Sequence, residues 1–147
     1  IMGDADDSYN FLELSLFIER LQAGYDMVMG NRFAGGITKG AMPWLHRYVG
    51  NPFLSSLGRF LFKNNIGDFH CGLRAFTKKC YNIINPQCNG MEFASELVAL
   101  ASIHQVRICE IPVTLYPDGR KRRPHLRSWR DGFRHMVLLY SLYLLRN

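Results

Sequence analysis

A chain of 147 residues, 48% of them hydrophobic, carries enough apolar side chains for one buried core, which excludes a disordered or low-complexity segment and points to one domain or a large piece of one. The net charge of +6 is unevenly placed: residues 1 to 30 hold six acids against Arg20, and residues 120 to 134 hold seven Lys or Arg against Asp131. An acidic end suits a cation, and a basic end suits phosphate on a lipid headgroup, a nucleotide or a nucleic acid. Cys71, Cys80, Cys88 and Cys109 form no CxxC pair and have no His at zinc spacing, so reduced, partly buried thiols are expected. The chain opens on Ile1 without the basic-then-apolar pattern of a signal peptide, as a fragment would.

Residues 1 to 9, Ile-Met-Gly-Asp-Ala-Asp-Asp-Ser-Tyr, set Asp4, Asp6 and Asp7 directly after an apolar strand end. In an extended backbone, side chains two apart point the same way, so Asp4 and Asp6 can offer oxygens to one hard divalent cation, with Asp7 as a spare. The competing use of these residues is a strand-to-helix turn in which Asp7 or Ser8 caps the next helix. That helix is expected over Phe11 to Ala23, apolar at Leu12, Leu16 and Ile18 to Leu21, with Gly24 ending it. Tyr25 to Gly30 reads as a strand, and the order strand, acidic turn, helix, strand predicts an α/β layered sheet. Active groups in such sheets gather at the carboxyl ends of strands, where both the Asp4 cluster and Asn31-Arg32 fall.

Residues 33 to 42 hold three glycines and read as a loop of the kind that carries function. Pro43 suits the first turn of a helix through Trp44, His46, Arg47 and Tyr48, which Gly50-Asn51-Pro52 should break before a second helix from Phe53 to Lys63. Trp44, Tyr48, Phe53, Phe60 and Phe62 interleave with Arg47, Arg59 and Lys63, a mixture that fits a bilayer interface or an ordinary aromatic core. Asp68-Phe-His-Cys-Gly-Leu-Arg-Ala-Phe76 reads as a turn entering a short strand, with Gly72 allowing close backbone approach. A short helix near Lys78 to Ile84, a loop at Asn85 to Gly90 and a helix from Glu92 to His104 follow. Val106 to Leu115 is expected as an edge strand because Pro112 cannot donate to a ladder. A basic loop, Asp118 to Arg127, then leads into an amphipathic helix from Ser128 containing Trp129, Phe133, Tyr140 and Tyr143, a pairing typical of membrane-surface attachment. Its apolar run from Met136 to Leu145 is only ten residues, about half a bilayer span.

In chain order, Asp4-Ala-Asp-Asp-Ser-Tyr9, the strand end Val28-Met-Gly-Asn-Arg32, the Gly35-Gly36 loop, Asp68 to Phe76, Gly90-Met-Glu-Phe-Ala-Ser-Glu-Leu97 and the basic loop before the last helix resemble family 2 glycosyltransferases, nearest the dolichyl- or undecaprenyl-phosphate sugar transferases. The resemblance implies an α/β fold that is part of a GT-A, Rossmann-like domain. Residues 1–127 would form its later part, from the strand that delivers the DxD motif and without the nucleotide-binding half, and 128–147 a juxtamembrane amphipathic helix. It also implies an inverting, metal-dependent transfer of sugar from a nucleotide-sugar to a polyprenyl phosphate at the cytoplasmic face of a membrane, with no nucleic-acid partner.

The resemblance assigns Asp4 and Asp6 to Mg²⁺ or Mn²⁺, and Arg32, Arg47, Asn51, Asp68 and Arg74 to the acceptor phosphate. Asn51 stands where the related pattern has Ser four residues after Arg, and Asn still donates to phosphate. One of Arg120, Lys121, Arg122 or Arg123 would close over the donor diphosphate. Glu92 and Glu96 lie where many relatives carry a catalytic base. A phosphate monoester with a second pKa of about 6 is already mostly dianionic at neutral pH, which favours a positioning or structural role for both. Two rival classes stay open on the residues alone: an Asp-based metal-dependent phosphatase, and a non-enzymatic basic module for membrane or nucleic acid.

Overall fold

The computed structural model describes residues 1–119 and 128–146. Three strands form a mixed sheet in the order β2-β1-β3, with β1 (Met27–Asn31) central. It pairs antiparallel with β2 (Arg74–Phe76), Val28 opposite Ala75, and parallel with β3 (Ile108–Pro112), Val28 opposite Cys109. An isolated antiparallel bridge, Met2 to Arg74, sets the first residues on the outer side of β2. The pleat of β1 sorts the core by alternation: Val28 faces a cluster with Phe17, Leu73, Ile111 and Val113, whereas Met27 and Met29 face Phe69, Ile84, Leu97 and Val98. The expected α/β class therefore holds, and β3 lies at an edge with Pro112 as its last residue, as the missing N–H requires.

Helix α1 (Leu14–Gln22) follows a 3₁₀ turn at Phe11–Glu13, and Phe17 is its buried residue. The cap of that turn is Asn10, whose side chain accepts from the Leu12 N–H at 3.1 Å. Neither Asp7 nor Ser8 is the cap, but the turn use of the cluster is present, since Asp6 accepts from the Ser8 N–H at 3.2 Å. The backbone also departs from the expected extended run. It bends over residues 5–7, and Asp7 takes a left-handed φ of 61°.

A one-turn helix, α2 (Arg32–Gly35), stands inside what reads in the sequence as a loop, because the Asn31 side chain accepts from Ala34 N–H at 2.9 Å and starts a helical turn. The expected break at Gly50-Asn51-Pro52 is absent. A π-helical turn at His46–Gly50 runs straight into α3 (Asn51–Phe62), with Asn51 helical at φ −65°, ψ −44°. The wider turn, closed by the Asn51 N–H on the His46 carbonyl, falls just ahead of Pro52, whose missing N–H and bulky ring an unbroken α-ladder would not accommodate.

Helices α4 (Lys78–Ile84), α5 (Phe93–Ile103) and α6 (Ser128–Arg146) complete the layers. The inner face of α6 includes the buried Asp131, His135 and Leu139, and Leu139 joins Leu61, Phe62 and Ala99 in a third apolar cluster that ties α6 to α3 and α5. Its outer face carries Phe133, Val137, Tyr140 and Leu144, all exposed. On the other aromatic segment, Trp44, Tyr48, Phe53 and Phe60 face outward, Phe60 to 80%, while Phe62 is core. No helix of the described residues is long and apolar enough to cross a membrane.

Candidate functional site

Two carboxylates, one buried ion pair and one seven-residue segment organise the site. Asp4 leaves the Met2 bridge and lays its carboxylate against Gly72, so closely that a Cβ at 72 would stand 2.0 Å from Asp4 Oδ2. Gly72 is in turn fixed from below, its N–H donating to Tyr9 Oη at 3.0 Å. Tyr9 is buried, and that burial above all pushes its phenol far above the ordinary range, so it acts here as a neutral acceptor. Asp6 accepts from both the N–H and the hydroxyl of Ser8, which orients its carboxylate. Among the described residues no group of three or more His, Cys, Asp or Glu gathers as a complete metal cage. Asp4 and Asp6 carry the chemistry that a hard divalent cation takes, carboxylate oxygen with negative charge, and would be the residues to hold one.

Arg32 and Asp68 meet in a two-pronged pair: Arg32 Nε to Asp68 Oδ2 and Nη2 to Oδ1, each 2.7 Å, with the Arg32 backbone N–H adding a bond of 3.1 Å. Both residues are buried. Burial alone would raise the Asp68 carboxyl, but the Arg32 bonds and charge outweigh it and hold the group below its usual range. Asp68 sits where it does because the loop before it is clamped. The Glu110 carboxylate on β3 accepts from the N–H groups of Gly67 at 2.9 Å and Asp68 at 3.0 Å, and from Asn31 Nδ2 at 3.2 Å. Phe69 is held by Ser55 Oγ at 3.2 Å and packs its ring on Gly58 of α3, where a Cβ would come within 2.4 Å.

Arg74 is also buried rather than open to solvent. Its guanidinium donates to the carbonyls of Cys71 and of Ala94, the latter at 3.3 Å, and burial lowers its pKa against the pull of Cys71 and Asp4. Its Nε has no partner among the described residues. Arg47 and Asn51, one turn apart, both reach back to the glycine-rich loop: Arg47 Nη1 donates to the Ile37 carbonyl at 3.2 Å, and Asn51 Nδ2 approaches the Met42 sulfur at 3.5 Å. The Arg47 guanidinium also lies 5.3 Å from the Tyr48 ring centroid.

Glu92 and Glu96 have different tasks. Glu96, buried in the first turn of α5, accepts from Gln87 N–H at 3.0 Å and Cys88 N–H at 2.8 Å, fastening the 85–90 loop to the helix. Glu92 pairs with Arg134 of α6. Residues that the sequence did not single out lie nearby: Ser95 Oγ is 2.9 Å from His70 Nε2 and 2.7 Å from His135 Nδ1. The signal for them was their position, His70 two after Asp68 and Ser95 inside the Glu92–Glu96 segment, but nothing in one sequence pairs either with a residue on the last helix. Arg120, Lys121, Arg122 and Arg123 lie outside the described residues. The run follows Gly119, whose N–H bonds the Asp6 carbonyl at 2.8 Å.

The chain is similar in sequence to glycosyltransferases. It is 38% identical over 136 residues to the low-salt glycan biosynthesis hexosyltransferase Agl6 of Haloferax volcanii, covering 92% of this chain and 32% of that protein. It is 33% identical to the dolichyl-phosphate hexose transferase of the same organism, over 77% of this chain and 48% of the relative. With the polyprenol monophosphomannose synthase of Mycolicibacterium smegmatis it shares 30% identity over 76% of this chain and 43% of the relative. The chain thus spans between 32% and 48% of the length of these relatives. No family model matches it.

Proposed function

We propose that the chain is the acceptor-side part of a GT-A glycosyltransferase that moves a sugar from a nucleotide-sugar to a polyprenyl phosphate at a membrane surface. The observation that carries this reading is the segment Asp68 to Arg74, which at one end holds Arg32 through Asp68 and at the other seats Asp4 on Gly72. It brings together a carboxylate suited to a donor's metal-diphosphate and an arginine suited to phosphate. The names of the dolichyl-phosphate and polyprenol relatives support a polyprenyl phosphate as acceptor.

Asp4 and Asp6 would hold Mg²⁺ or Mn²⁺, whose charge makes the nucleoside diphosphate a better leaving group. An acceptor phosphate oxygen attacks the anomeric carbon, the bond to the diphosphate breaks, and the configuration inverts. Arg47 and Asn51 are placed to meet the acceptor phosphate at the edge of the glycine-rich loop. Arg32, oriented by Asp68, keeps N–H groups beyond the two spent on the carboxylate, and Arg74 braces the segment from within. The dianionic acceptor needs no strong base, in keeping with the structural engagement of Glu92 and Glu96. A basic side chain of the 120–123 run would supply positive charge to the diphosphate.

The lipid end has a place too. A groove of about 390 Å³ between α3 and α6, lined by Leu45, Val49, Phe53, Leu54, Phe133 and Met136, is apolar and opens beside the exposed aromatic rings. We assign it to the first isoprene units. Arg130 and Arg134 on α6, the latter paired with Glu92, lie beside the outward stripe Phe133, Val137, Tyr140 and Leu144, the pattern of a helix lying on anionic lipid. The test uses the full-length protein with labelled nucleotide-sugars, polyprenyl phosphate and Mg²⁺ or Mn²⁺. Label should pass to the organic phase only when the lipid phosphate is present, and free sugar as the sole product would count against the reading.

A further inference from the structure

The cluster of half-buried His70 with buried Ser95 and His135 joins three elements that the proposed reaction uses separately. His70 belongs to the segment that seats Asp4 and Arg32, Ser95 to α5, and His135 to the inner face of α6, whose outer face is the lipid-facing stripe. The Ser95 hydroxyl has one proton and lies within hydrogen-bonding distance of both rings, so it donates to one imidazole and accepts from the other. The two histidines must then carry complementary tautomers, and a change in the seating of one is felt by the other. The rings also touch edge to face, with centroids 4.9 Å apart. Ser95 is fully buried, which makes an unmade bond to it costly. His70 in turn donates its backbone N–H to Asp68 Oδ1 at 3.3 Å, so the relay ends on the carboxylate that holds Arg32.

We propose that Ser95 is a positioning residue that couples the seating of α6 on a lipid surface to the order of the Asp68–Gly72 segment, through its paired bonds to His135 and His70. The proposal rests on the membrane-surface reading of α6. On α3 and α5, α6 is held by Leu139 with Leu142 and Tyr143, by the Arg134–Glu92 pair, by Arg146 on the Leu61 carbonyl and by the Ser95–His135 bond, and of these the last is the one that leads to the Asp68–Gly72 segment. Pressed against a bilayer by its outer stripe, it fixes His135, Ser95 fixes His70, and the site settles into its working geometry.

The test is amide hydrogen exchange on the full-length protein, with and without vesicles of phosphatidylcholine and phosphatidylglycerol, alongside vesicle co-sedimentation. In the unaltered protein, vesicles should slow exchange at residues 68 to 72 by about tenfold, an ordinary magnitude for coupling between two sites. Ser95→Ala and His135→Phe should bind vesicles as before yet lose that slowing, and the double variant should lose no more than either alone. A merely structural role would loosen these amides equally with and without lipid and leave the vesicle-dependent difference in place. Slowing that survives in both variants, or no slowing in the unaltered protein, would overturn the coupling while sparing the membrane reading. Failure to bind vesicles would remove both.

Discussion

The carboxylate of Asp4 rests on the bare Cα of Gly72, with Oδ2 2.0 Å from where a Cβ would be. No backbone strain is involved, since Gly72 is not among the residues of positive φ, so the glycine is required for the room it leaves alone. Gly72→Ala should displace Asp4 and lower sugar transfer by about 10²-fold, the scale of a catalytic group shifted by about 1 Å. The check is the steady-state rate together with the Mn²⁺ dependence, which should weaken in parallel while the far-ultraviolet circular dichroism stays unchanged.

Asp68 lies against Arg32 with both side chains buried. Asp68→Ala should cost about 3 to 5 kcal/mol of stability, because it leaves a guanidinium buried and unpaired. Replacing both partners, as Arg32→Met with Asp68→Leu, should recover most of that loss and none of the activity. Urea unfolding of the three proteins measures the first claim and the transfer assay the second.

Acid should loosen the fold through the histidines. Burial, reinforced by His135, pushes the His70 pKa down to about 3, and burial likewise lowers that of His135. An unfolded histidine titrates near pH 6.5. Below that value the unfolded chain takes up protons that the folded chain refuses, so stability is complete above about pH 6.5 and falls as the pH drops toward 3. Asp68, held low by Arg32, adds a further loss in the last part of that window. Unfolding free energy at pH 4.5 should be lower than at pH 7.5 by on the order of 3 kcal/mol. His70→Phe should shrink the difference.

Glu96→Gln should reduce stability by about 1 to 3 kcal/mol by weakening the carboxylate's hold on the Gln87 and Cys88 N–H groups. Glu92→Gln, which breaks the exposed ion pair with Arg134, should cost less than about 1 kcal/mol. Neither should remove the rising limb of a pH–rate profile, the feature that a general base would own.

Much of this was legible in the sequence. Helix α1 followed from its apolar positions with Gly24 as a stop, α4 and α5 lie within the expected Lys78 to Ile84 and Glu92 to His104, and the edge placement of β3 followed from Pro112. What a single sequence did not carry is long-range pairing. Asp68 and Arg32 are 36 residues apart and both are functional-looking residues in isolation, so each read as a phosphate ligand rather than as the other's partner. Nothing in the sequence marks Glu110 as a clamp, because the N–H groups that it holds are 42 and 43 residues away. The continuous turn into α3 was missed for a local reason: Gly-Asn-Pro breaks an α-helix by rule, and a π-turn is the exception the rule does not anticipate.

The outward stripe of α6 has a sharper test than removal of the helix. Leu139 belongs to the core with Leu61, Phe62 and Ala99, so truncation at residue 128 would damage the fold as well as the surface. Val137→Asp with Leu144→Asp alters only exposed positions. The pair should abolish vesicle binding with little change in melting temperature, and unchanged binding would refute the interfacial role.

The central claim is that Asp4 and Asp6 hold the metal-bound diphosphate of a nucleotide-sugar for transfer to a lipid phosphate. The direct measurement is transfer of labelled sugar to polyprenyl phosphate by the full-length protein carrying Asp6→Ala, over a range of Mn²⁺ concentrations. A loss of at least about 10³-fold that excess Mn²⁺ does not restore is the predicted result. Transfer undiminished by the substitution would contradict the account.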